Sequence, residues 1–314
     1  MSRAGMSPPL AKSPKTALVL TGGGARAAYQ VGVLLAVSKL STNRRKNPFP
    51  ILCGTSAGAI NAAGIACLAD NFGKGVSVLA SFWRSMHAGD IYRADPLGIG
   101  VSGARWMTTL TLGWLIRSRP RSLLDNSPLR ELLSRHLDFR GIERSIANGA
   151  LHALSISASG YESGDNINFF QGHADAQPWH RVQRIGIRSE IGVDHLLASS
   201  AIPFIFPAAK IHREFFGDGS MRQLAPISPA IHLGAERVLI VGAGRKNEHQ
   251  ERRRVDSHPS LAQIAGHALS SIFLDSLAVD IERMQRINRT LAAIPPDIRE
   301  NNEIPLRPIK ALII

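Results

Sequence analysis

Three short stretches carry residues whose types and spacing suit chemistry: "GGGAR" at 22–26, "GTSAG" at 54–58 and "GDGS" at 217–220. The second matches G-x-S-x-G around Ser56. In a nucleophile elbow, a sharp strand-to-helix turn lifts the serine hydroxyl clear of the sheet. The flanking glycines, here Gly54 and Gly58, allow the strained backbone and bring helix close to strand. The bare motif arises easily by chance in a glycine-rich chain, so its context matters. An apolar run ("FPILCG", 49–54) stands directly before it and an uncharged run ("AGAINAAGIACLA", 57–69) directly after. The competing reading is a tight turn with an ordinary N-capping serine.

The consecutive glycines Gly22, Gly23 and Gly24 admit two chemistries. Gly22, Gly24 and Ala27 fit the dinucleotide pattern G-x-G-x-x-[GA], which requires an acidic residue about 20 positions on to bond the ribose hydroxyls. The first Asp or Glu anywhere in the chain is Asp70. Only a 2′-phosphate site served by Arg44 and Arg45 keeps an NADP-dependent oxidoreductase open. A P-loop is excluded, because no Gly-Lys-Ser/Thr follows the glycines. The alternative is an oxyanion hole, in which glycines leave backbone N–H groups unshielded at a helix N-terminus. Two parallel β–turn–α units would bring Gly22–Gly24 beside Ser56 and assemble an acyl-transfer site.

A serine nucleophile needs a base, and histidine is the usual one. His195, His212, His232, His258 and His267 lie downstream, none in a distinctive glycine-flanked turn. Asp218 does lie in one, after an apolar run and between Gly217 and Gly219, open enough for its carboxylate to reach another loop. Taken alone, it reads as an ordinary Asp-Gly turn.

The elements that must position these residues follow from the apolar pattern. "KTALVL" (15–20) and "FPILCG" (49–54) read as buried strands. "ARAAYQVGVLLAVSKL" (25–40) and the run at 57–69 read as helices apolar nearly all round, and so buried. Strand–helix–strand–helix with buried elements indicates an α/β fold whose central sheet is mostly parallel and covered on both faces. From 70 to 150 the chain is more helical and more basic, with Ser127 and Pro128 opening "PLRELLSRHL". "RWMTTLTLGWLIRSRPR" (105–121) sets Trp106 and Trp114 between arginines, a pattern for a lipid interface or for a segment packed on the core.

Further strands are expected at 151–159 and 166–172, joined by a short turn, and at 236–244. "REFFGDGS" (213–220) reads as a strand running into its turn. A polar loop with Arg252, Arg253 and Arg254 follows, then a long amphipathic helix between 268 and 291. The chain stops in the strand-like "PIKALII", which suggests a natural sequence continuing past Ile314. The expected organisation is a flexible basic tail (1–14), a catalytic domain (15–245) and a C-terminal helical extension ending in a strand (246–314).

Composition narrows the classes. The chain has 314 residues, 44% hydrophobic and 19% charged, as in a folded globular protein. The net charge of +13 favours anionic partners, a lipid head group or nucleic acid. The two cysteines, Cys53 and Cys67, sit in apolar stretches and read as buried thiols of a reducing compartment. The N-terminus lacks a signal-peptide core. No run reaches the roughly 18 apolar residues of a membrane span. A cytoplasmic protein, free or peripheral on a membrane, is the expectation.

Taken in order, "GGGAR" (22–26), "GTSAGAINA" (54–62), "LLASSAIPFIFP" (196–207) and "GDGS" (217–220) resemble the patatin-like phospholipase family, over most of residues 16–245. The resemblance implies a three-layer α/β/α hydrolase that cleaves carboxylic esters of lipids through a Ser–Asp dyad without histidine. Ser56 would be the nucleophile that forms an acyl-enzyme, and Asp218 the proton acceptor that later activates water. Gly22, Gly23 and Gly24 would hold the oxyanion, with Arg26 supporting their loop. Ser220 stands where the family commonly has glycine or alanine, and Ala27 where the full glycine pattern has glycine. A phospholipid or other lipid ester is the implied substrate, with peripheral contact to anionic membrane and no specific nucleic acid. No metal-ligand cluster is evident, and no cofactor is expected. The competing class is a catalytically silent lipid- or nucleic-acid-binding protein on the same fold.

Overall fold

The uncharged runs of the sequence form strands closed off on both sides, each feeding a helix. The computed structural model describes residues 15–93, 122–242, 276–295 and 306–314, with positions 258, 260, 263–264, 266–267 and 298–299. The tail (1–14), the Trp-Arg stretch (105–121), Arg252–Arg254 and the first part of the long helix lie outside the described residues.

β1 (Thr16–Leu20) leads through a 3-10 turn (Gly24–Ala27) into α1 (Ala28–Leu40), and β2 (Ile51–Thr55) leads through Ser56 into α2 (Ala57–Ala66). α3 (Phe72–Ser85), the single-turn α4 (Ala88–Ile91), α5 (Ser127–His136) and α6 (Arg140–Ala147) follow. β3 (Ala153–Gly160) and β4 (Asn166–Gly172) make one hairpin, β5 (Trp179–Arg181) and β6 (Arg184–Arg188) a second. After α7 (Val193–Ser199) comes a third, β7 (Ala209–Ile211) and β8 (Glu214–Asp218). α8 (Ser228–His232), β9 (Arg237–Val241), α9 (Ser276–Ala293) and β10 (Lys310–Ile313) complete the described elements. The short strands β5, β6 and β7 escape sequence reading, since runs such as "RIGIR" carry too few apolar residues for a strand signal.

The sheet runs β10-β9-β1-β2-β3-β4-β6-β5, parallel from β10 to β3. β3, eight residues long, outruns its neighbour β2, and this difference shapes the site. β4 occupies one edge of β3. On the other edge β2 pairs as far as Thr55 opposite Ser157, and β8 then takes over antiparallel, with Asp218 opposite Ala158. Where β2 turns away at Ser56, the end of β8 fills its place.

Strict alternation sorts the strand side chains into two cores. Leu18, Leu20, Leu52, Leu154 and Ile156 face α1–α3 and α5–α7; Ala17, Val19, Ile51, Cys53, Val238 and Ile240 face α8 and α9. Each fully buried aliphatic side chain contributes about 1.5–3 kcal/mol. The result is the three-layer arrangement expected, and β10, paired to β9, places the end of the chain in the same sheet. Both cysteines are buried free thiols, and burial pushes the Cys67 thiol up to about 12.

The two helices expected to be buried all round differ. All ten residues of α2 are buried, whereas α1 exposes Tyr29 and Leu40 and keeps only Gln30, Val31, Leu34 and Ser38 inside. α1 is the outer of the pair: it packs one stripe against the core and α3, while α2 lies between α3, α6 and the sheet. α5 begins one residue before the expected start: Asn126, not Ser127, is the N-cap, and Asp125 accepts hydrogen bonds from the Ser127 N–H (2.9 Å) and hydroxyl (2.8 Å).

Candidate active site

Ser56 is the hinge between β2 and α2, and its backbone is strained. It adopts φ 55° and ψ −129°, a positive φ that costs a side-chain-bearing residue on the order of 1–3 kcal/mol. The strain is held from several sides. The Ser56 N–H donates to Ser199 Oγ (2.8 Å), and the Ser199 hydroxyl donates to the Ser157 carbonyl (2.6 Å). Tight glycine contacts fix the turn as well. A methyl on Gly54 would lie 2.5 Å from the Gly58 carbonyl oxygen, and one on Gly58 would overlap the Leu20 carbonyl. Only glycine lets α2 start so close to β1 and β2.

Asp218 arrives on β8 at the same place. Its backbone N–H donates to the Ala201 carbonyl (2.9 Å), and its Oδ1 accepts from the Ser220 N–H (2.9 Å). Its Oδ2 accepts the Ser56 hydroxyl at 2.7 Å. Both side chains are buried. Burial drives the Asp218 pKa from 3.8 up to about 6, against the opposing pull of the Ser56 and Ser220 hydrogen bonds. A carboxylate raised this far is a far better base than an exposed one and is still largely ionised at neutral pH.

The glycine turn faces this pair. A methyl on Gly22 would meet Ser220 Oγ at 2.6 Å and Ser56 Cβ at 3.1 Å, so its backbone packs directly against these two serines. Gly24 has φ +55°. The Arg26 N–H closes the turn on the Gly23 carbonyl (3.2 Å), and the Arg26 side chain is exposed. Among the described residues, the N–H groups of Gly22, Gly23 and Gly24 donate to no protein acceptor. Free amides at the head of a helix, beside a serine hydroxyl, suit an oxyanion. A cavity of about 70 Å³ opens next to them, bordered by Gly22, Thr55, Ser220 and Gln223.

Side chains that motif reading did not single out hold these parts together. Gln30, fully buried, donates to the carbonyls of Thr21 (2.8 Å) and Val241 (3.2 Å). Asn61 donates to Gln30 Oε1 (2.9 Å) and the Ala27 carbonyl (3.0 Å), and accepts from Trp83 Nε1 (2.6 Å). Together they tie the glycine turn to α2 and β9. A second chain of buried hydrogen bonds links β2 to the Asp218 turn. Thr55 donates to Gln223 (2.6 Å), Gln223 to Ser157 (3.2 Å) and Ser157 to Asn168 (2.7 Å). Asn168 then donates to Asn166 (3.1 Å), and Asn166 to the Gly219 carbonyl (3.2 Å). The one sequence signal for this framework is "LLASSAIPFIFP", which supplies both Ser199 and Ala201.

Two of the histidines weighed as bases are engaged elsewhere. His195 packs edge-on against Phe169 (4.9 Å) and accepts the Gly192 N–H (3.1 Å); His232 stacks on Trp179 (5.0 Å). Burial lowers both to about 4. The helices of the described residues include none long and apolar enough to cross a membrane.

The sequence model of the patatin-like phospholipase family matches residues 18–231. The chain is 26% identical over 209 residues to a cGAMP-activated phospholipase of Pseudomonas aeruginosa, covering 67% of this chain and 53% of that protein. It therefore spans about half the length of this curated relative. Among solved structures, VipD from Legionella pneumophila aligns with a TM-score of 0.43 at 14% identity, over 76% of this chain and 51% of that one.

Proposed function

The chain belongs to the patatin-like phospholipase family, and from that premise we propose that it is a lipid acyl hydrolase of the phospholipase A or esterase type. Ser56 Oγ attacks the ester carbonyl while its proton passes to Asp218 Oδ2. The oxyanion of the tetrahedral intermediate accepts hydrogen bonds from the Gly22–Gly24 amides, with the turn held through Arg26, Gln30 and Asn61. Collapse breaks the C–O bond, and the alcohol leaves with the proton that Asp218 carries. Water, deprotonated by Asp218, then attacks the acyl-Ser56 ester; the fatty acid departs and Ser56 is restored.

The observation that carries this reading is the 2.7 Å hydrogen bond from the Ser56 hydroxyl to a buried carboxylate with a raised pKa. Labelling with a fluorophosphonate tests it on the wild type, Ser56→Ala and Asp218→Asn. Label should enter the wild type and be absent from Ser56→Ala; label persisting in Ser56→Ala overturns the nucleophile. Loss of hydrolysis on replacing a single downstream histidine would replace the dyad with a triad.

The charge of +13 supports a peripheral encounter with anionic lipid. Co-sedimentation should be stronger with vesicles containing phosphatidylserine than with pure phosphatidylcholine, and should weaken with salt.

A further inference from the structure

At the far end of the sheet from Ser56, two neighbouring strands are flanked by histidines. His152 immediately precedes β3 and His173 immediately follows β4, and Ala153 pairs with Gly172 between them. The ladder extends one step further, with the His173 N–H donating to the His152 carbonyl at 2.8 Å. The two imidazoles are thus a cross-strand pair, stacked with ring centroids 5.9 Å apart. Asp175 reaches back from the next turn. Its Oδ1 lies 2.8 Å from His173 Nδ1 and 3.6 Å from His152 Nε2.

The backbone beneath these side chains is tied by hydrogen bonds. The Arg188 guanidinium on β6 donates to the carbonyls of Gly172 (2.8 Å), His173 (3.1 Å) and Ala176. The Ala176 N–H closes the Asp175 turn on the His173 carbonyl (3.1 Å). The donor set already attracts a cation: Lys15 Nζ stands 3.0 Å from His152 Nε2 and 3.7 Å from Asp175 Oδ2. That lysine side chain is 35% exposed at the head of β1, so its ammonium can return to water without disturbing the sheet.

We propose that His152, His173 and Asp175 form a binding site for a divalent transition-metal ion of the zinc class, with Lys15 as its built-in competitor. Three donor atoms, one from each side chain, lie within 4.8 Å of one another. Zinc bonds of about 2.0–2.2 Å in a tetrahedron separate ligand atoms by about 3.5 Å, so side-chain adjustments on the order of 1 Å close the site. Two imidazoles and one carboxylate suit zinc, nickel or copper better than magnesium or calcium, which prefer all-oxygen sets. Three protein ligands leave a fourth position for water. Ile51, at the start of β2, pairs with Ala153, while Ser56 follows the end of β2. Five residues of strand put the two sites on the order of 15 Å apart. The metal would clasp the open end of the β3–β4 hairpin and take no part in ester hydrolysis.

The test uses the 314-residue chain stripped with a chelator, then titrated with Zn²⁺ against a chromophoric chelator and separately with Co²⁺ by visible absorption. One equivalent should bind with micromolar affinity. His173→Ala and Asp175→Asn, both at exposed positions, should each weaken binding about tenfold or more. Lys15→Met should tighten it by removing the competing charge, and circular dichroism confirms that each variant is folded. Absence of binding in both the wild type and Lys15→Met overturns the site. So does wild-type affinity persisting in His173→Ala and Asp175→Asn, which would place the metal elsewhere. The readout is metal binding, so it stands or falls independently of the Ser56–Asp218 assignment.

Discussion

The first two strand-to-helix turns of this molecule are built from the same residue type for opposite purposes. In the β2–α2 turn, Gly54 and Gly58 are packing glycines, each with backbone where a methyl would sit. They bring a wholly buried helix against the sheet, and Ser56 between them adopts φ 55°. The β1–α1 turn is open: a methyl on Gly24 would meet nothing within 4 Å. Its helix is half exposed, and three of its amides have no acceptor among the described residues. One turn uses its glycines for close approach and presents a side chain. The other is open at Gly24 and presents backbone. A nucleophile needs the first arrangement and an oxyanion hole the second.

The largest effect should come from the side chain that the tight turn presents. Ser56→Ala and Asp218→Asn should each lower ester hydrolysis by about a thousandfold or more, with melting temperature preserved in Ser56→Ala. Gly58→Ala, in the same turn, should instead unfold the protein more readily, by about 3 kcal/mol in urea titration. Gly24→Ala in the open turn meets only backbone strain and should cost about 1 kcal/mol. Equal losses in the two glycine variants would erase the distinction between the turns.

Gly22 lies where the turns meet. A methyl there would press on Ser220 Oγ and Ser56 Cβ. Gly22→Ala should lower kcat about a hundredfold while changing KM little, the pattern of a lost transition-state contact. A change confined to KM would remove Gly22 from the oxyanion site.

The buried carboxyl of Asp218 gives a pH signature. Hydrolysis should fall as pH drops through about 6, where Asp218 takes up its proton. Stability should run the other way. Because the folded carboxyl binds its proton more tightly than the unfolded one, it favours the fold below its ordinary 3.8 and loses that contribution as pH rises through about 6. Asp218→Asn should therefore melt above the wild type in mild alkali, with the gap closing in acid. The smallest effect is expected at Arg26, whose side chain is exposed. Arg26→Ala should change kcat/KM by less than about threefold, since the turn is closed by the Arg26 backbone.

Much of the site is legible in the sequence because its parts are local. "GTSAG" and "GGGAR" each encode a turn through glycine alone, and the apolar runs beside them declare strand and helix. Asp218 is legible only as a turn, since "GDGS" does not say what it faces. Gln30, Asn61 and Gln223 give no local signal, because each has a partner far off in the chain: Val241, Gln30 and Thr55 lie 211, 31 and 168 positions away. The exposure of α1 escapes for a related reason. An apolar helix and a buried helix look alike until the layers are assembled.

The sequence by itself determined the βαβα order, the alternating strand faces, the elbow around Ser56 and the open glycine turn. These follow from steric and hydrophobic rules acting over a few residues. Tertiary structure decided which group would meet the serine. β3 is longer than β2, so its free edge accepts β8 just where β2 turns away, and that backbone pairing sets Asp218 against Ser56. The same pairing buries the carboxylate and lifts its pKa. Strand register is fixed by hydrogen bonds between distant segments, and no stretch of the chain read alone contains it.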